Sequence, residues 1–297
     1  MTKTSFSRLA VLAAALSLST AVHAADLILS PEPMANVDAG LTLPAVSGIN
    51  GKVELWGGSL TAGDDLYSSP FLGDDSVSTY WLNGSLSVPV GNAFGIQGDV
   101  SLGKIGDETF GGGAVHLFTR DPSSYLLGVT AGYVATDGAS LAAIGPEAEL
   151  YLDRVSLEAW GGWASYDNDF DVFDETGAFF FGDIAYYVTD DWRVSAGVQT
   201  ILGDKAFDLS TEYQFTGAGV PLSFTAEFKA YDDDSKSLMV GLKGYFGEPG
   251  KSLIDRHRQD DPQSRQFDLG REAGACVYGD YEFKYDPEGA CGYHAPG

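Results

Sequence analysis

The sequence predicts an all-β fold, an antiparallel up-and-down β-barrel of about twelve strands that crosses a membrane. Three observations predict it. Apolar and polar residues alternate almost without a break over residues 51–247, the period of a strand whose two faces meet different surroundings. The alternating runs are about ten residues long, the length that crosses a tilted bilayer. They also follow one another as successive hairpins, with short turns at one end and longer connections at the other, and without the long crossovers of a Greek-key sandwich.

The chain begins with a predicted export signal over residues 1–24. Lys3 and Arg8 precede an apolar run at 9–18, and Val22 and Ala24 are the small residues that a signal peptidase reads. That run is too short for an anchor, and no later run reaches the roughly 18 apolar residues of a membrane helix. The net charge is −25, and loss of Lys3 and Arg8 makes the mature chain more acidic still. Such a charge excludes nucleic acid, whose phosphates are bound by an excess of Lys and Arg. An exported chain of this kind is either soluble or a barrel.

Residues 25–50 are rich in Pro, Ala and Gly, without a sustained period, and read as an extended lead-in. A first strand is predicted at 51–60. Five hairpins follow, each with a short turn: 77–90 with 94–104 across 91–93, 112–120 with 125–136 across 121–124, and 141–152 with 155–166 across 153–154. The next are 178–189 with 192–202 across 190–191, and 207–216 with 222–231 across 217–221, before a last strand at 237–247. Asp, Asn, Gly, Ser and Pro crowd these turns, as tight reversals require. Aromatic residues gather near strand ends, among them Tyr80, Phe94, Tyr125, Trp163, Tyr186, Trp192, Phe215 and Phe246, as in the interfacial girdles of membrane barrels. After Gly247 the composition turns polar and the alternation stops.

The signal peptide, the alternating strands, the last strand "SLMVGLKGYFG" and the following "KSLIDRHRQDDP" resemble the porin-like outer-membrane β-barrel proteins of Gram-negative bacteria, particularly alphaproteobacteria. The resemblance implies an outer-membrane location and contact with lipid and lipopolysaccharide. It implies a barrel over 51–247 and a polar periplasmic C-terminal tail over 248–297. Short turns of such barrels face the periplasm, and an even strand count puts both termini there.

The polar face then lines a lumen. Glu54, Asp99, Glu147, Glu149, Glu158, Asp183, Asp208, Glu212 and Glu227 fall on it, with His116, Arg193, Lys229 and Lys243. An acid-biased aqueous lumen predicts passive diffusion of small hydrophilic solutes with a modest preference for cations. The alternative is a non-conducting structural or adhesive barrel that acts through its loops and tail. Trp56, Trp81, Trp160 and Tyr187 also point inward and are large enough to fill a barrel of this size. The two-residue turn at 153–154 sets Leu152 against Val155 and therefore Glu149 against Glu158. Directly opposed like charges destabilise a sheet. Either Arg193 or Lys229 sits between them, or one acid keeps its proton.

Other chemistry finds little in the sequence. Barrel enzymes need an activated nucleophile, and no GxSxG occurs. His116 lies in a strand with no serine at a suggestive spacing, so neither enzymatic activity nor a cofactor is expected. In "DNDFDVFDETG", Asp167, Asp169 and Asp171 open like a calcium loop, but Val172 and Ala178 replace the Gly and Glu that such a loop needs. A weak surface cation site is the most it offers. Cys276 and Cys291 are the only cysteines. A disulfide is expected in an oxidising compartment, the alternatives being free thiols or a metal site with His294. The basic cluster Arg256, His257 and Arg258 reads as a periplasmic linker or as a contact with an anionic partner such as the cell wall.

Overall fold

The computed structural model describes residues 43–61, 76–136, 138–168, 175–215, 221–232, 234–248, 250–260 and 262–273. The first half of the chain forms β1 (Asn50–Thr61), β2 (Ser76–Val90), β3 (Phe94–Ile105), β4 (Glu108–Asp121), β5 (Tyr125–Ala135) and β6 (Ala139–Leu152). The second half adds β7 (Val155–Asn168), β8 (Glu175–Thr189), β9 (Trp192–Ile201), β10 (Asp204–Phe215), β11 (Leu222–Tyr231) and β12 (Lys236–Phe246). Each strand pairs antiparallel with its sequence neighbour, and β1 pairs with β12, with Gly51 opposite Phe246, to close the barrel. Closure leaves no strand edge unpaired.

The predicted alternation is the alternation of the wall. In β12, Leu238, Val240 and Leu242 are exposed on the outside, whereas Met239, Lys243 and Tyr245 are buried inside. The same holds in β10, where Leu209, Tyr213 and Phe215 face out and Asp208, Glu212 and Gln214 face in. The exterior is thus a continuous belt of exposed Leu, Val, Ile and aromatic side chains running through every strand. An apolar belt of this extent would be an aggregation surface in water, and it matches the hydrocarbon of a bilayer.

Several strands start earlier than the sequence predicts. β4 begins at Glu108 instead of 112, β8 at Glu175 instead of 178, and β10 at Asp204 instead of 207. These ends lie on the side of the longer connections, where the added residues carry only one large apolar side chain, Phe110, which is buried inside. The connection between β9 and β10 accordingly shrinks to a two-residue hairpin. Leu202 and Gly203 take φ values of 51° and 112° there, the left-handed conformations that such a turn demands.

Two further described segments lie where no regular element was expected. In the lead-in, Ala45 donates to the Asn92 carbonyl at 2.8 Å, and Val46 is buried with Phe118, Leu126 and Tyr151 at the short-turn end. After β12, the chain forms helix α1 (Leu253–Gln259), capped by the Ser252 hydroxyl accepting from the Asp255 amide, and is helical again over 266–273. Leu253, Arg256, Leu269 and Ala273 are among the most buried residues of the protein. Of the periplasmic tail expected over 248–297, residues 253–260 and 262–273 pack against the inner face of the wall. Residues 274–297, with Cys276 and Cys291, lie outside the described residues, as does the signal segment.

Candidate functional site

The lumen wall is a set of polar groups brought level with one another by strand register. On β3, β4 and β6, His116 joins two carboxylates. Its Nδ1 lies 2.9 Å from Glu147 and 2.8 Å from the Thr130 hydroxyl, and its Nε2 lies 3.1 Å from Asp99. Gln97 continues the network by donating to Asp99 at 2.9 Å and accepting from Ser87 at 2.7 Å. Across the barrel closure, Lys243 lies 2.9 Å from Glu212 and 3.6 Å from Glu54, with Lys52 3.5 Å from Glu54. Tyr245 donates its hydroxyl to Glu212 at 2.5 Å. Lys52 is a lumen residue that the sequence reading missed. It sits at the start of β1, but its two-residue spacing from Glu54 puts both on one face.

The β6–β7 hairpin has the predicted register, with Leu152 opposite Val155 and Glu149 opposite Glu158. Arg193 of β9 donates to both Glu158 oxygens at 2.9 and 3.0 Å. Glu149 instead accepts the Tyr151 hydroxyl at 2.7 Å. Lys229, the other candidate for this place, is engaged elsewhere, with Gln199 at 3.0 Å and with Asp268 of the internal segment. Asp183 and Asp208 crowd Gly197, the β9 residue that sits between them. A Cβ at Gly197 would come within 2.4 Å of either carboxylate. All thirteen lumen candidates thus face inward. Glu149 and Glu227 are half-buried and the others buried.

What buries them is the chain's own C-terminal segment. Arg256 donates to Gln214 at 2.9 Å, and His257 lies 2.9 Å from the Tyr187 hydroxyl. Arg258 donates to the Val155 carbonyl at 3.0 Å and stacks over Tyr151 and Tyr187. The basic cluster expected to serve a linker or the cell wall is therefore spent inside the barrel. Farther along, Arg265 pairs with Asp183, Asp268 with Lys229, and Arg271 covers the Tyr231 ring. Phe267 meets Trp81 edge-on at 5.8 Å, and Leu269 joins a buried cluster with Phe110, Val134, Leu141, Trp160 and Phe181. The inward tryptophans fill the barrel as expected, and they do so against this segment.

The wall is shaped to receive it. A Cβ on Gly132 would come within 2.9 Å of Leu269 and 3.0 Å of Gln266, and one on Gly112 within 2.9 Å of Gln266. Polar space remains between wall and segment. One polar cavity of about 80 Å³ lies between Glu54, Glu212, Lys243 and residues 263–268. A second, of about 20 Å³, lies beside His116 and Glu147. The first has room for a few waters and the second for about one. Asp167 is exposed at the end of β7, and Asp169 and Asp171 lie outside the described residues, so the surface cation site has no geometry to report.

No protein-family model and no curated protein matches the sequence. Among solved structures, the chain is similar to a KdgM porin in complex with disordered oligogalacturonate. The identity is 12% and the TM-score 0.47, over 66% of this chain and 99% of that one. It is also similar to the outer membrane protein Omp33 of Acinetobacter baumannii, with 12% identity and a TM-score of 0.39 over 67% of this chain and all of that one. A third is the outer membrane phospholipase A of Escherichia coli, with 13% identity and a TM-score of 0.40 over 65% of this chain and 92% of that one. These proteins differ in what they do, and at such identities none of them says what this chain carries.

Proposed function

We propose that this protein is a porin-like barrel of the outer membrane whose aqueous lumen is closed by its own C-terminal segment. When that segment is displaced, the lumen admits small hydrophilic solutes, cations ahead of anions. The observation that carries the reading is the wall itself. A barrel needed only as a scaffold can be filled with apolar side chains, yet this lumen is lined by Glu54, Asp99, Glu158, Asp183, Asp208 and Glu212, with fewer cations among them. Several of these groups are satisfied by the internal segment and would meet water without it. Carboxylates in excess along a narrow path favour cations.

A second reading has its own observation. Phe267 and Leu269 pack into an aromatic cluster at the end bearing the longer connections, which fits a permanently filled barrel acting as a structural or adhesive element. Planar-bilayer conductance separates the two. The full chain is expected to be mostly closed, and the full chain with Arg265→Ala and Asp268→Asn is expected to conduct steadily with a cation-selective reversal potential. A variant that inserts and folds but never conducts would sink the channel reading.

A further inference from the structure

We propose that the C-terminal segment passes right through the barrel, so that the chain beyond Ala273 begins on the cell-surface side of the membrane instead of in the periplasm. The inference rests on the outer-membrane reading above and on the order in which the segment meets the wall.

That order rises steadily from one mouth to the other. At the short-turn end, the Ile254 amide donates to the Asp190 carbonyl in the β8–β9 turn at 3.0 Å, and Leu253 to the Asp191 carboxylate at 3.2 Å. Ser47 of the lead-in donates to Asp260 at 2.5 Å, still beside that mouth. Pro262 then accepts from Gln97, three residues into β3, at 3.1 Å. Arg265 reaches Asp183, in the middle of β8. Asp268 reaches Lys229, close to the far end of β11, and Gly270 packs against Phe110 near the far end of β4. Arg271 finally donates to Ser235, in the connection between β11 and β12 at the opposite mouth, at 3.1 Å. From Pro262 to Arg271, each of these contacts lies farther from the turns than the one before.

Two kinds of interaction hold this direction. Complementary charges alternate along the segment: Arg265 finds an acid on the wall and Asp268 a base, so sliding the segment by one contact sets like charges together. The apolar pair Phe267 and Leu269 meets its aromatic cluster only in the half of the barrel beyond the middle. Short turns face the periplasm in barrels of this kind, so the segment enters from the periplasm and its last described residue stands at the outer mouth.

Cys276 and Cys291, the only cysteines of the chain, report the side directly. Intact cells are reduced with an impermeant reductant and treated with a maleimide on a polymer too large to cross the outer membrane. The full-length protein is expected to gain mass on intact cells to the same extent as on permeabilised ones. Gain of mass only after permeabilisation would overturn the proposal. An epitope appended after Gly297, probed with antibody on intact and permeabilised cells, decides the case if neither thiol reacts. Antibody binding confined to permeabilised cells would overturn it equally. A protein missing from outer-membrane fractions would fail the membrane reading, whereas one present there but reached only from the periplasm would fail this inference alone.

Discussion

Glu149 and Glu158 stand directly opposite each other on the lumen face of the β6–β7 ladder, and Arg193 binds only the second of them. The opposition follows from a two-residue turn with Asp153 at φ 49°. Arg193→Leu leaves Glu158 buried, unpaired and facing a second carboxylate. Removing one partner of a buried ion pair costs about 3–5 kcal/mol. The unfolding midpoint of the refolded barrel in urea is expected to fall accordingly. The double variant Arg193→Leu with Glu158→Leu is expected to recover most of the loss, since replacing both partners by apolar groups is often neutral.

Gly132 tests the fit of the internal segment without touching the backbone of the wall. A Cβ there meets Leu269, Gln266 and Trp160 first. Gly132→Leu is therefore expected to leave barrel formation intact, read as heat-modifiable migration on a gel, and to raise single-channel open probability several-fold. A closed barrel as tight as the parent would show that the segment does not need this notch.

Lys229 and Asp268 form a pair in which a lumen base is held by an acid of the segment. Asp268→Asn keeps the shape and removes the charge. Lys229 then retains Gln199 and Glu227, so the wall stays intact while the segment loosens. Protease added to purified protein in detergent is expected to cut the segment of Asp268→Asn faster than that of the parent, leaving the barrel as the resistant product. Equal rates would place the hold elsewhere, in the aromatic cluster.

Val129 tests the membrane itself. It lies mid-strand on the outer face of β5 with about half of its surface exposed. In a soluble protein Val129→Arg would be nearly silent. In a bilayer, an Arg at mid-depth on the lipid face costs about 2–4 kcal/mol, read as a lower urea midpoint for folding into vesicles. An unchanged midpoint would contradict a lipid-facing β5.

The barrel was readable because every strand has an exposed apolar face outside and polar groups inside, so each writes the same alternation. Leu150 against Glu149 is enough to orient a strand, and a two-residue turn is enough to set its register. Strand ends were less readable. Residues 108–111, 175–177 and 204–206 stand on the side of the longer connections and are too short and too poor in apolar residues to show a period, although Phe110 itself is buried inside. The internal segment was invisible for the opposite reason. It has wall on every side, so Leu253, Phe267 and Leu269 fall at no regular spacing, and the cluster Arg256, His257 and Arg258 looks like that of a solvated linker. The choice between Arg193 and Lys229 as the partner of Glu158 depended on strands two and four places away around the ring, a distance that no local pattern encodes.

The position of β12 has a consequence for assembly. This strand closes the ring by pairing with β1, and the chain that fills the ring follows it directly. A finished cylinder would have to be threaded end-on by charged residues crossing a passage lined with tryptophan. A sheet still open at the β1–β12 seam can wrap around the segment sideways, as a hand closes on a rope. A seam that closes last would let the sheet take in the segment without threading it.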